Sequence, residues 1–523
     1  MTPSADLFEL IRSLDKQEKI YFRTVHAIRP GDTREYVRLF EALSGSRRYD
    51  EAALKKKFAG RSFVRRLPAV KHYLWNQVLE TLIRFYADKS EESVLRGIMD
   101  KAAMLQRKGF SRQALRLLRK GKQLALRAGF FLPAAELIAL EKQIARSTAP
   151  AGRLSAEIER LSAEEDEVLR RHKRLSEYIL LENRFYDRRR LSLFPRNTAE
   201  RNWYRTMLRH PLLQDEKRAD SLEARYYFFR LRGQCRLLTG DLAKSYKDRQ
   251  RLVELLRSQE LFTTDLVMKY SGALYELAIT QRDLGLYAQA FSSAQEILAV
   301  ANQYPRIFRS EKTLSVLFKR NAIIETDLAV FTGDTAAGLS AARRAEAGLK
   351  RFGKLIDKDL ELIILYNEAL IWFMAGHYKA AQQWLNRIIN DHKHDYIQDA
   401  VAFARIFNLF LQIEKGNEDL VESTARSTLR YLQKRARLYR TEKIILQFIH
   451  QWLRTGEGEE KRKLMLHIKK QFDELRDDPL EKPALEFFDF SSWLRSKIEG
   501  RNFAEMLREQ ALRNTEKHKR LTS

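Results

Sequence analysis

Cysteine is nearly absent. A single Cys235 in 523 residues excludes an intramolecular disulfide framework and a cysteine zinc cluster, and with them the disulfide-stapled secreted folds. Ten prolines and 21 glycines are few for this length, which argues against an all-β chain full of tight turns. Long apolar runs are missing too. The most apolar stretch, Leu360 to Ala375, contains Glu361, Asn367 and Glu368 and is too short and polar to span a bilayer. The start, Met1-Thr2-Pro3-Ser4-Ala5-Asp6, has neither a basic nor an apolar leader region. These absences predict a cytoplasmic protein with no membrane insertion. Phosphate-cradling G-x-x-x-x-G-K-[ST], dinucleotide G-x-G-x-x-G, H-E-x-x-H and G-x-S-x-G are all lacking, so the expectation is a protein that is not an enzyme and needs no cofactor.

Helical periodicity fills the space those absences leave. At 44% hydrophobic and 32% charged the chain can bury a sizeable core. Apolar residues recur three and four apart, as in Leu7, Leu10, Ile11, Leu14 and in Ile444, Ile445, Phe448, Trp452, while strand-like alternation is missing. A turn glycine followed five residues later by a small residue recurs as Gly109/Ala114, Gly240/Ser245, Gly285/Ala290, Gly333/Gly338 and Gly376/Ala381. Ala102, Gly233, Ala278 and Ala369 precede four of these glycines by seven. A left-handed glycine closes one helix, and the small residues let the next lie close against it. Tyr287 and Tyr378, two past their glycines, can fill the wedge beside the turn. With Gly152, Gly416 and a breaker at Phe194-Pro195-Arg196-Asn197, the spacing suggests about seven helix pairs between residues 92 and 435.

Segments such as Ala278 to Ala290 and Ala369 to Ala381 resemble the tetratricopeptide repeat, and the start and tail resemble uncharacterised bacterial tetratricopeptide-like proteins. That likeness implies an all-α, right-handed α-α superhelix, a TPR-like solenoid of antiparallel helix pairs with helical N- and C-terminal caps. The period is longer than the usual 34 residues of that family, so helices or linkers must be longer. The organisation expected is an N-terminal helical region over 1–90, degenerate repeats over 91–440 and a C-terminal cap over 441–523. In the first region, helices are predicted near 5–27, 33–43, 50–58 and 68–87, with a break at Pro30-Gly31. The aromatic run Phe487-Phe488-Asp489-Phe490-Ser491-Ser492-Trp493-Leu494 suits a cap shielding the end of the core.

Few residues point to chemistry. Asp391-His392-Lys393-His394-Asp395 is the one metal-like cluster, and a polar linker explains it better than a metal site. Cys235 lies beside Leu237-Leu238 and reads as a core thiol. Tyr226-Tyr227-Phe228-Phe229 and Trp372-Phe373 read as core. The ten-residue link between Asp50–Phe58 and Pro68–Tyr86 is too long for a helix-turn-helix DNA reader.

Charge is the remaining lead. The net +27 divides into +14 over residues 1–150, +7 over 151–250, zero over 251–400 and +6 over 401–523. Arg107 to Arg127 holds eight basic residues and no acidic one. Helical spacing puts Lys108, Arg112, Arg116, Arg119 and Lys120 on one stripe, opposite a core stripe of Ala114, Leu117, Leu118, Gly121 and Ala125. A second run contains Arg426, Arg430, Lys434, Arg435, Arg437 and Arg440. The sequence therefore predicts a protein–protein interaction scaffold holding a peptide or partner helix in the solenoid groove. Acidic partners are favoured, and the contact residues expected are Lys108, Arg112, Arg116, Arg119, Lys120, Arg430, Lys434 and Arg437. The alternative is a nucleic-acid-associated repeat protein that sets these stripes on phosphates. Solvated surface is the plain explanation against which both stand.

Overall fold

The computed structural model describes residues 4–27, 34–88, 90–150, 152–259, 263–305, 307–308, 310–391, 398–476 and 478–522. Every regular element among them is a helix, and the chain divides into two compact units, Met1–His172 and Lys173–Ser523.

The first unit contains α1 (Ser4–Ser13), α2 (Lys16–Val25), α3 (Glu35–Gly45), α4 (Glu51–Lys57), α5 (Leu67–Tyr86), α6 (Glu91–Arg107), α7 (Ser111–Arg127), α8 (Phe131–Thr148) and the start of α9 (Leu154–Leu191). The single helix expected over 5–27 is two. Asp15 accepts the Glu18 amide at 2.8 Å and Glu18 accepts the Asp15 amide at 2.7 Å, a reciprocal cap that restarts the helix at Lys16. The expected break at Pro30-Gly31 lies outside the described residues. Helices α1 to α5 share a core of Leu7, Ile11, Phe22, Leu39, Phe40 and Leu74. Gly109 then turns the chain from α6 into α7, which packs on α6 and on α8. After Gly152 the repeat pattern lapses, and α9 runs for 38 residues, well beyond a normal repeat helix.

In the second unit α9 ends at Leu191, the expected breaker Phe194–Asn197 is non-helical, and α10 (Thr198–Leu208) follows. Five helix pairs come next: α11 (Leu222–Thr239) with α12 (Leu242–Arg257), α13 (Thr264–Asp283) with α14 (Tyr287–Gln303), α15 (Glu311–Thr332) with α16 (Thr335–Phe352), α17 (Lys358–Met374) with α18 (Tyr378–Ile389), and α19 (Gln398–Glu414) with α20 (Glu418–Lys434). Each second helix packs on its own first helix and on the first helix of the next pair, so the pairs stack as an α-α solenoid. The small residues sit where the pairing needs them. Ser245, Ala278, Ala290, Ala369 and Ala381 are all 0% exposed, and the Ser245 hydroxyl donates to the Gly233 carbonyl at 2.7 Å. Helix α17 is buried on nearly every side, which explains its apolar sequence without a bilayer. No helix among the described residues is long and apolar enough to cross a membrane.

The tail comprises α21 (Arg440–Trp452), α22 (Glu459–Leu475), α23 (Lys482–Phe487), α24 (Phe490–Glu499) and α25 (Phe503–Thr522). It does more than cap an end. Helix α25 runs back along the inter-helix turns of earlier repeats: Arg508 donates to the Gly333 carbonyl at 3.2 Å and Thr515 to the Gly285 carbonyl at 3.0 Å. Gly333 has φ +66°, and a Cβ there would meet the Ala504 carbonyl and lie 2.8 Å from the Arg508 amide. Glycine is required at this turn twice over, for its conformation and for the backbone lying on it.

Candidate binding groove

The first helices of the five pairs form one face of the second unit, and its two halves differ in chemistry. Along α17 and α19 the face is apolar and the tail fills it. Phe487 stacks on Phe403 at 4.3 Å between centroids, and Phe488 packs against Phe373, Phe407 and Phe410 at 5.1–5.7 Å. Trp493 stands edge-on to Phe410 at 4.8 Å. Polar contacts fix the register of this insertion. The Tyr366 hydroxyl donates to the main-chain carbonyl of Phe487 at 3.1 Å, and the Trp493 indole donates to Glu414 at 2.7 Å. Buried Arg196 joins Glu442 at 2.8 Å and Glu481 at 3.1 Å under the Tyr439 ring, tying the breaker before α10 to the start of the tail. The aromatic run expected to cap the core therefore occupies the groove itself.

Along the end of α9 and helices α11, α13 and α15 the same face is built from charges and tyrosines. Arg230 on α11 bonds Glu182 of α9 and, at 3.0 Å, Glu276 of α13. Arg282 at the end of α13 holds Asp283 at 2.7 Å and Asp327 of α15, and lies 4.6 Å from the Phe331 ring centroid. Burial opposes the Arg282 charge, but Asp283 and Asp327 outweigh it and hold the guanidinium firmly protonated. Asn367 of α17 donates to Asp327 at 2.6 Å and closes this ladder. These side chains are mostly half-buried, as expected for the floor of a groove open to water.

Arg320 and Arg189 of this half are half-buried and make no ion pair with a carboxylate among the described residues. Arg320 donates to the Met268 carbonyl at 2.9 Å and to the Ser271 hydroxyl, and a Cβ on Gly272 would stand 3.1 Å from it. Arg189 has a terminal nitrogen with no hydrogen-bond partner, and burial lowers its pKa. Tyr275 and Tyr226 are half-buried beside these groups, and their hydroxyls make no hydrogen bond among the described residues. Burial pushes both phenols upward, so they stay protonated and able to donate. Tyr226 and Tyr227 are half-buried and pack against the second unit's core, and Phe228 and Phe229 are buried in it, as their reading as core expected. Trp372 is half-buried and Phe373 buried.

The stripes predicted from sequence are only partly surfaces. Lys108 caps the end of α6, ahead of the Gly109 turn, so it does not share a helix with Arg112, Arg116, Arg119 and Lys120 on α7. Lys122 is buried and bonds Glu141 at 3.3 Å and Glu164 at 2.9 Å, while Arg119 leans to Glu157 at 3.6 Å. The acids absent from the 107–127 segment are supplied by α8 and α9. Arg112, Arg116 and Lys120 stay exposed with no ion pair among the described residues. The core stripe opposite them holds, with Leu117 half-buried and the other four members buried. On α20, Arg430 and Lys434 are exposed, but Arg437 is an internal residue that pairs with Asp399 at 2.9 Å and donates to Ser192 at 3.2 Å. Tyr431 lies between Arg405 and Arg435, 4.6 and 4.5 Å from its ring centroid. Cys235 is fully buried in the second unit's core, and burial pushes its thiol pKa well up, as its apolar neighbours suggested. Residues His392 to Asp395 of the metal-like cluster lie outside the described residues, and Asp391 pairs with Lys358 at 2.5 Å.

Fold and side chains define a helical-repeat protein whose second unit carries a charged half and an apolar, tail-covered half. Among solved structures the fold is similar to that in the crystal structure of Rap protein complexed with competence and sporulation factor, at 12% identity and a TM-score of 0.43, covering 78% of this chain and 99% of that one. At that score the likeness adds nothing to what this chain's own residues say about function. No family model matches the chain, and no curated relative matches it.

Proposed function

We propose that the protein is a non-enzymatic interaction scaffold that holds a peptide or partner helix, acidic in character, along α11, α13 and α15. The observation that carries this is the pair Arg189 and Arg320, cations without carboxylate partners in a groove whose next stretch is already occupied by a segment of the chain itself. Leaving cations unmatched is costly unless water or an anionic partner completes them. Exposed Arg112, Arg116 and Lys120, and on α20 Arg430 and Lys434, supply further anion-facing surface. A cytoplasmic location belongs to the same proposal. Affinity capture with the wild type and with Arg320→Glu tests it: the variant loses an acidic partner that wild type retains. Recovery of the same partners by both proteins would remove the groove from the account.

The exposed, unmatched rows on α7 and α20 also favour a second reading, in which they neutralise phosphates of a nucleic acid. That reading requires affinity for oligonucleotides to fall steeply between two salt concentrations. Weak affinity already at low salt would sink it.

A further inference from the structure

The repeat places a tyrosine at equivalent positions in two first helices, and only one of them has a partner. Tyr366 lies ten residues before its turn glycine, Gly376, and Tyr275 ten before Gly285. The Tyr366 hydroxyl donates to the main-chain carbonyl of Phe487, so this position in α17 receives a polypeptide backbone. Tyr275 in α13 has the same side chain at the same place, with no hydrogen-bond partner among the described residues. The two tyrosines serve one continuous groove. Glu486, the residue before Phe487, has Asp283, Lys482 and Arg282 as its charged neighbours, and Tyr275 has Asp327, Arg282, Arg320 and Glu276 as its own. Arg282 thus stands between the last filled position and the first open one. In α15 and α19 the equivalent positions are Ile323 and Ile406, both buried, so the device is confined to α13 and α17.

We infer that Tyr275 is a main-chain anchor for an acidic peptide segment of a partner protein, donating its hydroxyl to a backbone carbonyl as Tyr366 does to the tail. The acidic character follows from charge complementarity. Arg230 and Arg282 already hold two carboxylates each, whereas Arg320, beside Tyr275, holds only a carbonyl and a hydroxyl. The tail itself provides the pattern to be matched, an acid followed by an aromatic residue whose carbonyl is bonded: Glu486, then Phe487. This inference rests on the groove reading above and adds the residue and the bond that the partner uses.

The probe is a fluorescein-labelled peptide of alternating glutamate and phenylalanine, read by anisotropy against the full-length protein, with an alternating lysine and phenylalanine peptide as comparison. Wild type should prefer the acidic peptide, and Tyr275→Phe should weaken that binding about fivefold to tenfold, the worth of one hydrogen bond. The melting temperature of Tyr275→Phe should match wild type, because the hydroxyl has no partner in the free protein. Tyr287→Phe, whose hydroxyl accepts from Asn514 on the turn edge at 3.4 Å, should bind like wild type. Equal affinity of Tyr275→Phe and wild type, or an equal loss in Tyr287→Phe, overturns the anchor and leaves the groove standing. Failure of wild type to prefer the acidic peptide overturns the groove reading and the anchor together.

Discussion

The two halves of the groove lie on the first helices of successive pairs and solve opposite problems. Along α17 and α19 the first helices present Tyr366, Phe373, Phe403, Phe407 and Phe410, an apolar surface too large to leave in water. The chain covers it with its own Phe487, Phe488, Phe490 and Trp493, and Trp493 ends 0% exposed. Along α11, α13 and α15 the same structural positions carry Arg230, Tyr275, Glu276, Arg282 and Arg320, which water can solvate. No segment of the tail has to lie there for the unit to be stable. An apolar groove commits its occupant during folding, and a charged one can keep its place for a partner.

Trp493→Ala should break the filled half outright. It removes a fully buried indole and the bond to Glu414, at a cost of about 3–5 kcal/mol measured by urea unfolding. A loss no larger than that of Tyr275→Phe would mean the tail is only an accessory. Next in size is the turn edge. Gly333→Ala adds a Cβ where α25 lies, as well as an unfavourable φ, and should cost about 2–4 kcal/mol. Gly376→Ala, with φ +77° and open space around it, should cost only about 1 kcal/mol. Equal values would show that α25 does not rest on the turns.

A third test concerns Glu368, 1% exposed in α17 with neither oxygen hydrogen-bonded among the described residues. Burial pushes its carboxyl up to about 8 from an ordinary 4.5, and Trp372, which favours the charged form, stands too poorly placed to make a hydrogen bond. The folded protein therefore binds this proton more tightly than the unfolded chain does. The resulting stabilisation is complete below about 4.5 and is lost as pH rises through about 8. Glu368→Met should stabilise the protein by about 2 kcal/mol at pH near 8, with less gain in acid. A gain that does not vary with pH would mean that Glu368 is not held neutral. The smallest effect belongs to the first unit. Arg112→Glu with Arg116→Glu should change stability by no more than about 0.5 kcal/mol, because both side chains are exposed and have no ion pair among the described residues.

The repeat architecture was legible in the glycines and small residues because close helix packing leaves few substitutes at those positions. Gly240, Gly285, Gly333 and Gly376 all close first helices, and the small residues seven before and five after them are buried where the pattern put them. Helix α9 and the split at Asp15 were not read. A 38-residue helix lacks an internal breaker to count, and the Asp15-x-x-Glu18 cap interrupts an apolar periodicity that runs on through it. The charged groove was invisible to a search for local density. Its members are spread over α9, α11, α13 and α15, with Arg230 and Glu276 46 residues apart, whereas the cations dense in 107–127 are partly neutralised by α8 and α9. Aligning the repeats on their glycines and comparing the residues ten positions upstream would have exposed Arg230, Tyr275 and Tyr366 together.

The most direct test is hydrogen exchange of the full-length protein with and without the acidic peptide. New protection should fall on Leu222–Thr239, Thr264–Asp283 and Glu311–Thr332, with Phe487–Trp493 unchanged because it is already covered. Protection confined to Ser111–Arg127 would contradict the account, for the partner would then be reading the exposed row on α7 and leaving the groove empty.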